Sequence, residues 1–300
     1  MMPRNQSAAV SRRRLRTALR RLRVARDMTQ REVADALRWS SAKLMRIEAG
    51  KVSVSFTDLQ ALLKHYGVTD PARIDMLNQL SVTARAGSEI GARYRDALSP
   101  GMAELLEHEE SAGVIRNFEP QLVPGLLQTR EYAYSALRFL PDKELPTDVI
   151  ERRLEARMER AELLARDDSP DVFFILDESV LYRRAGAESG ADGVLAAQLE
   201  HLRELAVHPH VSIQILPFAA GLYGAIRSPF VILEFDDELD DGLVYIESPQ
   251  DEMIFREDVE SIVRYADRFR SLEKRASSRE MLPVIIDMAL NRLESHSVLI

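Results

Sequence analysis

Between Met28 and Gly50 the chain reads MTQREVADALRWSSAKLMRIEAG, two short helical patterns around a polar turn. Thr29 is a good helix cap, and Glu32, three residues on, completes a capping box that satisfies backbone donors in the first turn. Val33, Ala34 and Leu37 form the buried face of this helix. The pattern breaks for a few residues at RWS. Ser40 then caps the next helix, with Leu44 and Ile47 inward, and Gly50 stands where a helix stops in a left-handed cap.

The surrounding sequence predicts three more helices. Leu15, Leu19, Leu22 and Ala25 recur at spacings of four and three and give an earlier helix one apolar stripe. Phe56, Leu59, Leu62 and Leu63 mark a fourth, and Pro71 to Ala86 reads as a connector. Residues 1–86 are therefore expected to form an all-α domain of five helices.

Two short helices at a tight turn, the second polar and basic on one face, make a helix-turn-helix. The major groove of B-DNA admits one α-helix, whose N-terminal residues meet base edges. Ser41, Ala42 and Lys43 would project from the first turn of that helix, with Met45 and Arg46 on nearby outward positions, and Ser40, the cap, is counted with the DNA-binding residues. Lys43 can donate either to guanine acceptors or to a phosphate, and both roles stay open. Gln30, with Arg31 beside it, is placed to reach the DNA backbone, and Lys51 and Arg13 complete the expected DNA-binding set. Arg12, Arg13 and Arg14 read either as phosphate contacts or as a solvated tail. Trp39 reads as packing at the turn.

Charge divides in the same place. Residues 1–67 hold 15 Lys and Arg against 5 Asp and Glu, while the remainder holds 25 against 43. A basic segment is the electrostatic footprint of a polyanion partner, and an acidic remainder repels phosphate and limits non-specific binding. The chain has no cysteine, which excludes disulfides and thiolate chemistry. No stretch approaches the roughly 18 apolar residues of a membrane span. The basic N-terminus leads into no apolar core or cleavage site, so a cytoplasmic, nucleoid-associated protein is expected.

From about residue 99 to 300 the pattern becomes mixed, and an α+β domain with four or five strands is expected. GVIRNFEP, DVFFILDES, VSIQILPF, SPFVILEF and GLVYIES read as strands, separated by helices around Ile150–Ala165 and Val194–Leu205. Two further helices follow, around Val259–Phe269 and Met281–Leu293. Catalytic signals are poor. The HPH at His208 to His210 has no carboxylate at helical ligand spacing, and no metal site is expected. FAAGLYGAIRS has Gly221 and Gly224 but neither a phosphate-loop lysine nor G-x-G-x-x-G spacing, and no nucleophile elbow appears. The expectation is a binding protein without cofactors, not an enzyme.

Thr29-Gln30, Val33-Ala34, Ser40, Arg46-Ile47-Glu48 and Gly50 match in register the pattern TQ…VA…S…RIE.G of phage-repressor-like, XRE-type helix-turn-helix proteins, which this segment resembles. That resemblance implies a structural pair between Arg23 and Glu48. LEHEESAGVIRNFEPQLVPGLLQTREYAYSAL, VFFILDESVLYRR and HPHVSIQILPFAAGLYGAIRSPFVILEF extend it over nearly the whole chain. They are similar to actinobacterial helix-turn-helix regulators with a C-terminal domain of unknown function, the WhiJ-like, antitoxin-like group. This resemblance implies a regulator, usually a repressor, with a small adjacently encoded partner that meets the C-terminal domain. Pro124, Gly125, Pro217 and Gly221, in that domain's signatures, read as turn formers. The loop RRAGAESG, Arg183–Gly190, departs from the family pattern, which puts any site built on it in doubt.

The reading is thus a homodimeric, sequence-specific regulator of double-stranded DNA that binds an inverted repeat. One alternative is an antitoxin that chiefly sequesters a toxic partner, with DNA binding as autoregulation. The other is an enzyme with a DNA-binding appendage.

Overall fold

The computed structural model describes residues 8–50, 52–86, 93–94, 96–139, 145–185, 191–226, 228–235, 242–247 and 253–297. The chain divides into two compact units. The first holds the residues up to Arg93 together with Leu106–Ser111, and the second holds Tyr94–Leu105 and the bulk of the chain from Ala112 onward.

In the first unit five helices form: α1 (Ala8–Val24), α2 (Gln30–Ala36), α3 (Ser41–Glu48), α4 (Phe56–His65) and α5 (Pro71–Ala86). With 7 and 8 residues, α2 and α3 are far too short to persist alone. A common core supports them. Leu15, Leu19 and Leu22 of α1 pack with Val33 of α2, Leu44 and Ile47 of α3, and Leu59, Leu62 and Leu63 of α4. Leu77 of α5 and the fully buried Tyr66 close this cluster. Each fully buried aliphatic side chain contributes about 1.5–3 kcal/mol, which offsets the ordering cost of such short helices. Two residues expected inside lie outside. Ala25 falls beyond the end of α1 and is exposed, and Phe56, the first residue of α4, is 57% exposed.

Caps set the helix ends. The Thr29 side chain accepts from the Glu32 amide, and Glu32 Oε2 accepts from the Thr29 amide at 2.7 Å, which holds the Glu32 carboxyl below its usual range. The Ser40 hydroxyl accepts from the Lys43 amide at 3.2 Å, and Ser55 caps α4 in the same way through the Asp58 amide at 3.0 Å. After α2 the chain reverses through a left-handed residue, Arg38 with φ of 56°, while the Trp39 amide donates to Ala34 O at 2.8 Å. Gly50, with φ of 70°, ends the α3 segment as expected.

Helix α6 (Pro100–Glu109) is divided between the units. The second unit contains strands β1 (Val114–Glu119), β2 (Asp171–Asp177), β3 (Val211–Leu216), β4 (Phe230–Glu234), β5 (Leu243–Glu247) and β6 (Met253–Arg256). Its described helices are α7 (Arg130–Phe139), α8 (Thr147–Ala161), α9 (Ala191–Leu205), α10 (Val259–Glu273) and α11 (Leu282–Ser297). One sheet results, in the order β3-β2-β1-β4-β5-β6. The β1–β2 and β2–β3 pairs are parallel, and β1–β4, β4–β5 and β5–β6 are antiparallel. Parallel pairing requires crossovers, supplied by α7 with α8 and then by α9.

The five strands read from the sequence are β1 to β5. The sixth is an addition to that expectation: Met253–Arg256 is an edge strand of 4 residues, too short between its charged flanks to show a period. On one face Phe118, Ile175, Phe230, Ile232 and Val244 pack against Phe269 and Leu272 of α10. Gly242 enters β5 with φ of 89°, and a Cβ there would sit 2.7 Å from Leu233 O, so the close approach of β4 and β5 requires glycine.

Candidate nucleic-acid interface

Helix α3 turns Leu44 and Ile47 into the core, so helical periodicity leaves Ser41, Ala42, Met45, Arg46 and Ala49 exposed. Its orientation is set at the far end by Glu48. Arg23 Nε donates to Glu48 Oε1 at 2.7 Å and Arg23 Nη2 to Oε2 at 2.9 Å, a two-pronged contact from α1. Gln30 Nε2, at the start of α2, donates to the same Oε2 at 2.7 Å. Arg23 Nη1 also donates to Met28 O at 2.7 Å. A carboxylate at a helix C-terminus opposes the helix dipole, and the guanidinium offsets that charge. Hydrogen bonding to Glu48 raises the Arg23 pKa against the opposing effect of burial. Burial beside this pair pushes the Tyr66 phenol up to about 12. One side chain thus ties three helices together and fixes the angle at which α3 is presented.

The remaining expected DNA-binding residues are distributed unevenly. Arg31 is exposed, with its nearest acid, Asp35, at 3.9 Å. Ser40 is occupied as the cap of α3. Gln30 is half-buried and its amide is directed at Glu48. Lys43 is half-buried: its Nζ lies 2.6 Å from Asp58 Oδ1 on α4 and 4.0 Å from the centroid of the Trp39 ring. Trp39 packs against the core of the first unit, as packing at the turn requires.

Arg13 departs from the phosphate-contact expectation. It is only 5% exposed, because its position on α1 faces inward. Arg12 is also engaged internally, with Nη2 donating to Glu107 Oε2 at 2.8 Å and Nη1 to Ala84 O at 3.3 Å. The run of arginines at the start of α1 reads as a tail in sequence, but within a helix every third or fourth member turns inward. Lys51 and residues 186–190 of the Arg183–Gly190 loop lie outside the described residues.

Two residues near α3 escaped the sequence reading. Arg38 is exposed in the turn between α2 and α3, in the left-handed conformation that usually selects glycine or asparagine. Asp58 holds Lys43 across a separation of 15 positions, beyond any spacing rule for a single helix. The only available signal was the ALRWS stretch itself, a helix end without a glycine.

In the second unit a charged cluster gathers at the carboxyl end of β1. Glu119 is half-buried there, and its carboxyl is pushed up to about 8 by desolvation, with Glu247 adding and Arg160 opposing. Arg157 of α8 donates from Nη1 to Gln128 Oε1 at 2.8 Å. Desolvation and Arg160 lower Arg157 to about 10, against the pull of Glu247. At the carboxyl end of β2, Tyr223 donates to the Asp177 carboxylate at 2.6 Å, and burial with this bond raises the phenol pKa. The loop after β3 exposes Phe218 at 58% and Leu222 at 89%. Among the described residues no group of three His, Asp or Glu side chains is arranged to hold a metal ion, and no helix is long and apolar enough to cross a membrane.

Comparison with known proteins divides the chain along similar lines. A helix-turn-helix domain model matches residues 14–76. A model described as a domain of unknown function, DUF5753, matches residues 102–281. No curated protein and no solved structure matches the chain. The first match makes α1–α5 the seat of a helix-turn-helix DNA-binding domain, and with it the chain is a DNA-binding regulator. Since the second match spans more than half of the sequence, the chain belongs to the DUF5753 family.

Proposed function

We propose that the chain is a sequence-specific transcriptional repressor of the WhiJ-like, antitoxin-like kind, acting as a homodimer on an inverted repeat. The observation that carries this reading is the presentation of α3, exposed along one face and fastened at its end through Glu48 to Arg23 and Gln30. A single recognition helix covers too little DNA for high selectivity, so two copies reading two half-sites are needed. The second unit receives the controlling signal, a small partner protein or ligand. Its charged cluster at the carboxyl end of β1 supports that role, because β1 is where the strand order reverses, and open sheets bind ligands at such points. A signal of this kind acts only by binding the DNA-competent and incompetent states differently. The chain works by binding, without a cofactor or catalysis, on the cytoplasmic nucleoid.

Duplex binding by the intact chain at stepped salt concentrations tests this. Selective binding is expected, with log affinity falling against log salt by about 0.9 per neutralised phosphate. Sedimentation of the complex is expected to give two chains per selected site. Equal affinity for all duplexes at low ionic strength removes the sequence-reading role, and one chain per site removes the dimer. Partner control falls if the purified product of the adjacent gene, at saturation, leaves operator affinity unchanged.

A further inference from the structure

We infer that α3 reads thymine methyl groups through Ala42 and Met45, while Lys43 is withheld from the base edges. This rests on the DNA-reading role proposed above and specifies which bases that role selects. Of the four exposed positions on α3, only Arg46 carries a long hydrogen-bond donor, and its Nε folds back toward Ala42 O at 3.3 Å. Ser41 carries only a short hydroxyl. Met45 is 54% exposed and follows Ala42 by three positions, so the two share one side of the helix. One exposed apolar side chain is ordinary on a protein surface. A pair at the centre of a face that would otherwise hold polar readers is a different matter, since the major groove offers one apolar feature, the thymine C5 methyl. Methionine's flexible thioether adapts readily to such a contact.

Lys43 has the reach and charge to contact guanine, but both are committed elsewhere. Its ammonium is 2.6 Å from Asp58 Oδ1 and lies over the Trp39 ring at 4.0 Å. Turning toward the groove would break both contacts and leave Asp58 without its cation. Lys43 therefore braces α3 against α4 and the turn, and the sequence preference falls to Ala42, Met45 and Arg46.

The test starts from a preferred duplex selected from a random pool with the intact protein. Each thymine is then replaced by deoxyuridine, which removes the methyl and leaves pairing intact. At one or two positions per half-site a loss of about four-fold is expected, the value of one buried methyl-sized group. Met45→Ala should abolish the penalty at one of those positions and Met45→Leu should retain it, with melting unchanged because the side chain is exposed. Lys43→Ala should leave the ranking of sequences as it was. Selective binding with every deoxyuridine substitution near neutral overturns the inference. So does a penalty that persists in Met45→Ala, or a base preference lost in Lys43→Ala. A pool that yields no preferred duplex overturns the DNA-reading role itself, and this inference with it.

Discussion

Glu48 in the helical unit and Glu119 in the sheet unit are both carboxylates taken partly out of water, and their surroundings could hardly differ more. Glu48 accepts from Arg23 through both oxygens and from Gln30 through one. The carboxyl of Glu119 is pushed up to about 8 by desolvation and by Glu247, with Arg160 opposing. A two-pronged guanidinium contact locks geometry, whereas burial beside a second carboxylate favours the protonated form. The helical unit is accordingly built to hold one shape. The sheet unit instead holds a buried carboxyl beside a second one and two arginines.

The comparison breaks first, and most severely, at Glu48. Glu48→Ala leaves Arg23 buried without its partner and should cost about 3–5 kcal/mol, read as a large fall in the melting temperature of the first unit. A loss under about 1 kcal/mol would mean that the matched pair fixes nothing.

Glu119→Gln addresses the other side. The ordinary glutamate value of 4.5 rises to about 8 in the folded chain, so the native state holds a proton that the unfolded chain releases. That contribution is fully present below about pH 4.5 and is lost as pH rises through about 8. Glu119→Gln keeps the neutral form at every pH. It should stabilise the second unit above pH 8 by about 1–3 kcal/mol and flatten the profile between those limits, as followed by denaturant unfolding. A variant as pH-sensitive as the parent would show that Glu119 is not the group behind that profile.

The smallest effect sharpens the picture of the first unit as a fixed presenter. Arg38→Gly relieves a left-handed residue in the turn before α3 and should raise stability by about 0.5–1 kcal/mol. If Arg38 also touches phosphate, the same variant lowers the salt dependence of duplex binding by about one contact. Stability gained with no change in salt dependence would assign Arg38 to the turn alone.

Legibility in the sequence followed the range of the interactions. Caps at Thr29 and Ser40, the stop at Gly50 and the inward positions Leu44 and Ile47 are local, and spacing reveals them. Strands β1 to β5 announce themselves as apolar runs between turn residues. What spacing could not show were pairings across the fold. The ion pair of Lys43 with Asp58 and that of Arg12 with Glu107 look, in sequence, like unattached charges on a basic segment. Burial of Arg13 was hidden for a related reason, since an arginine run gives no sign of which member faces inward. The edge strand β6 draws its definition from β5 and not from its own residues.

The register of β1 has a consequence for how the chain is made. Val114 pairs with Asp171 on one side and with Glu234 on the other. During synthesis β1 leaves the ribosome long before either neighbour exists, and its Ile115 and Phe118 wait uncovered. The helices from α1 to α5 are complete by then, and all their partners in the common core have been made. The DNA-binding unit can therefore mature on the nascent chain while the central strand still depends on segments not yet translated. That interval, and not the finished protein, is where a chaperone has most to protect.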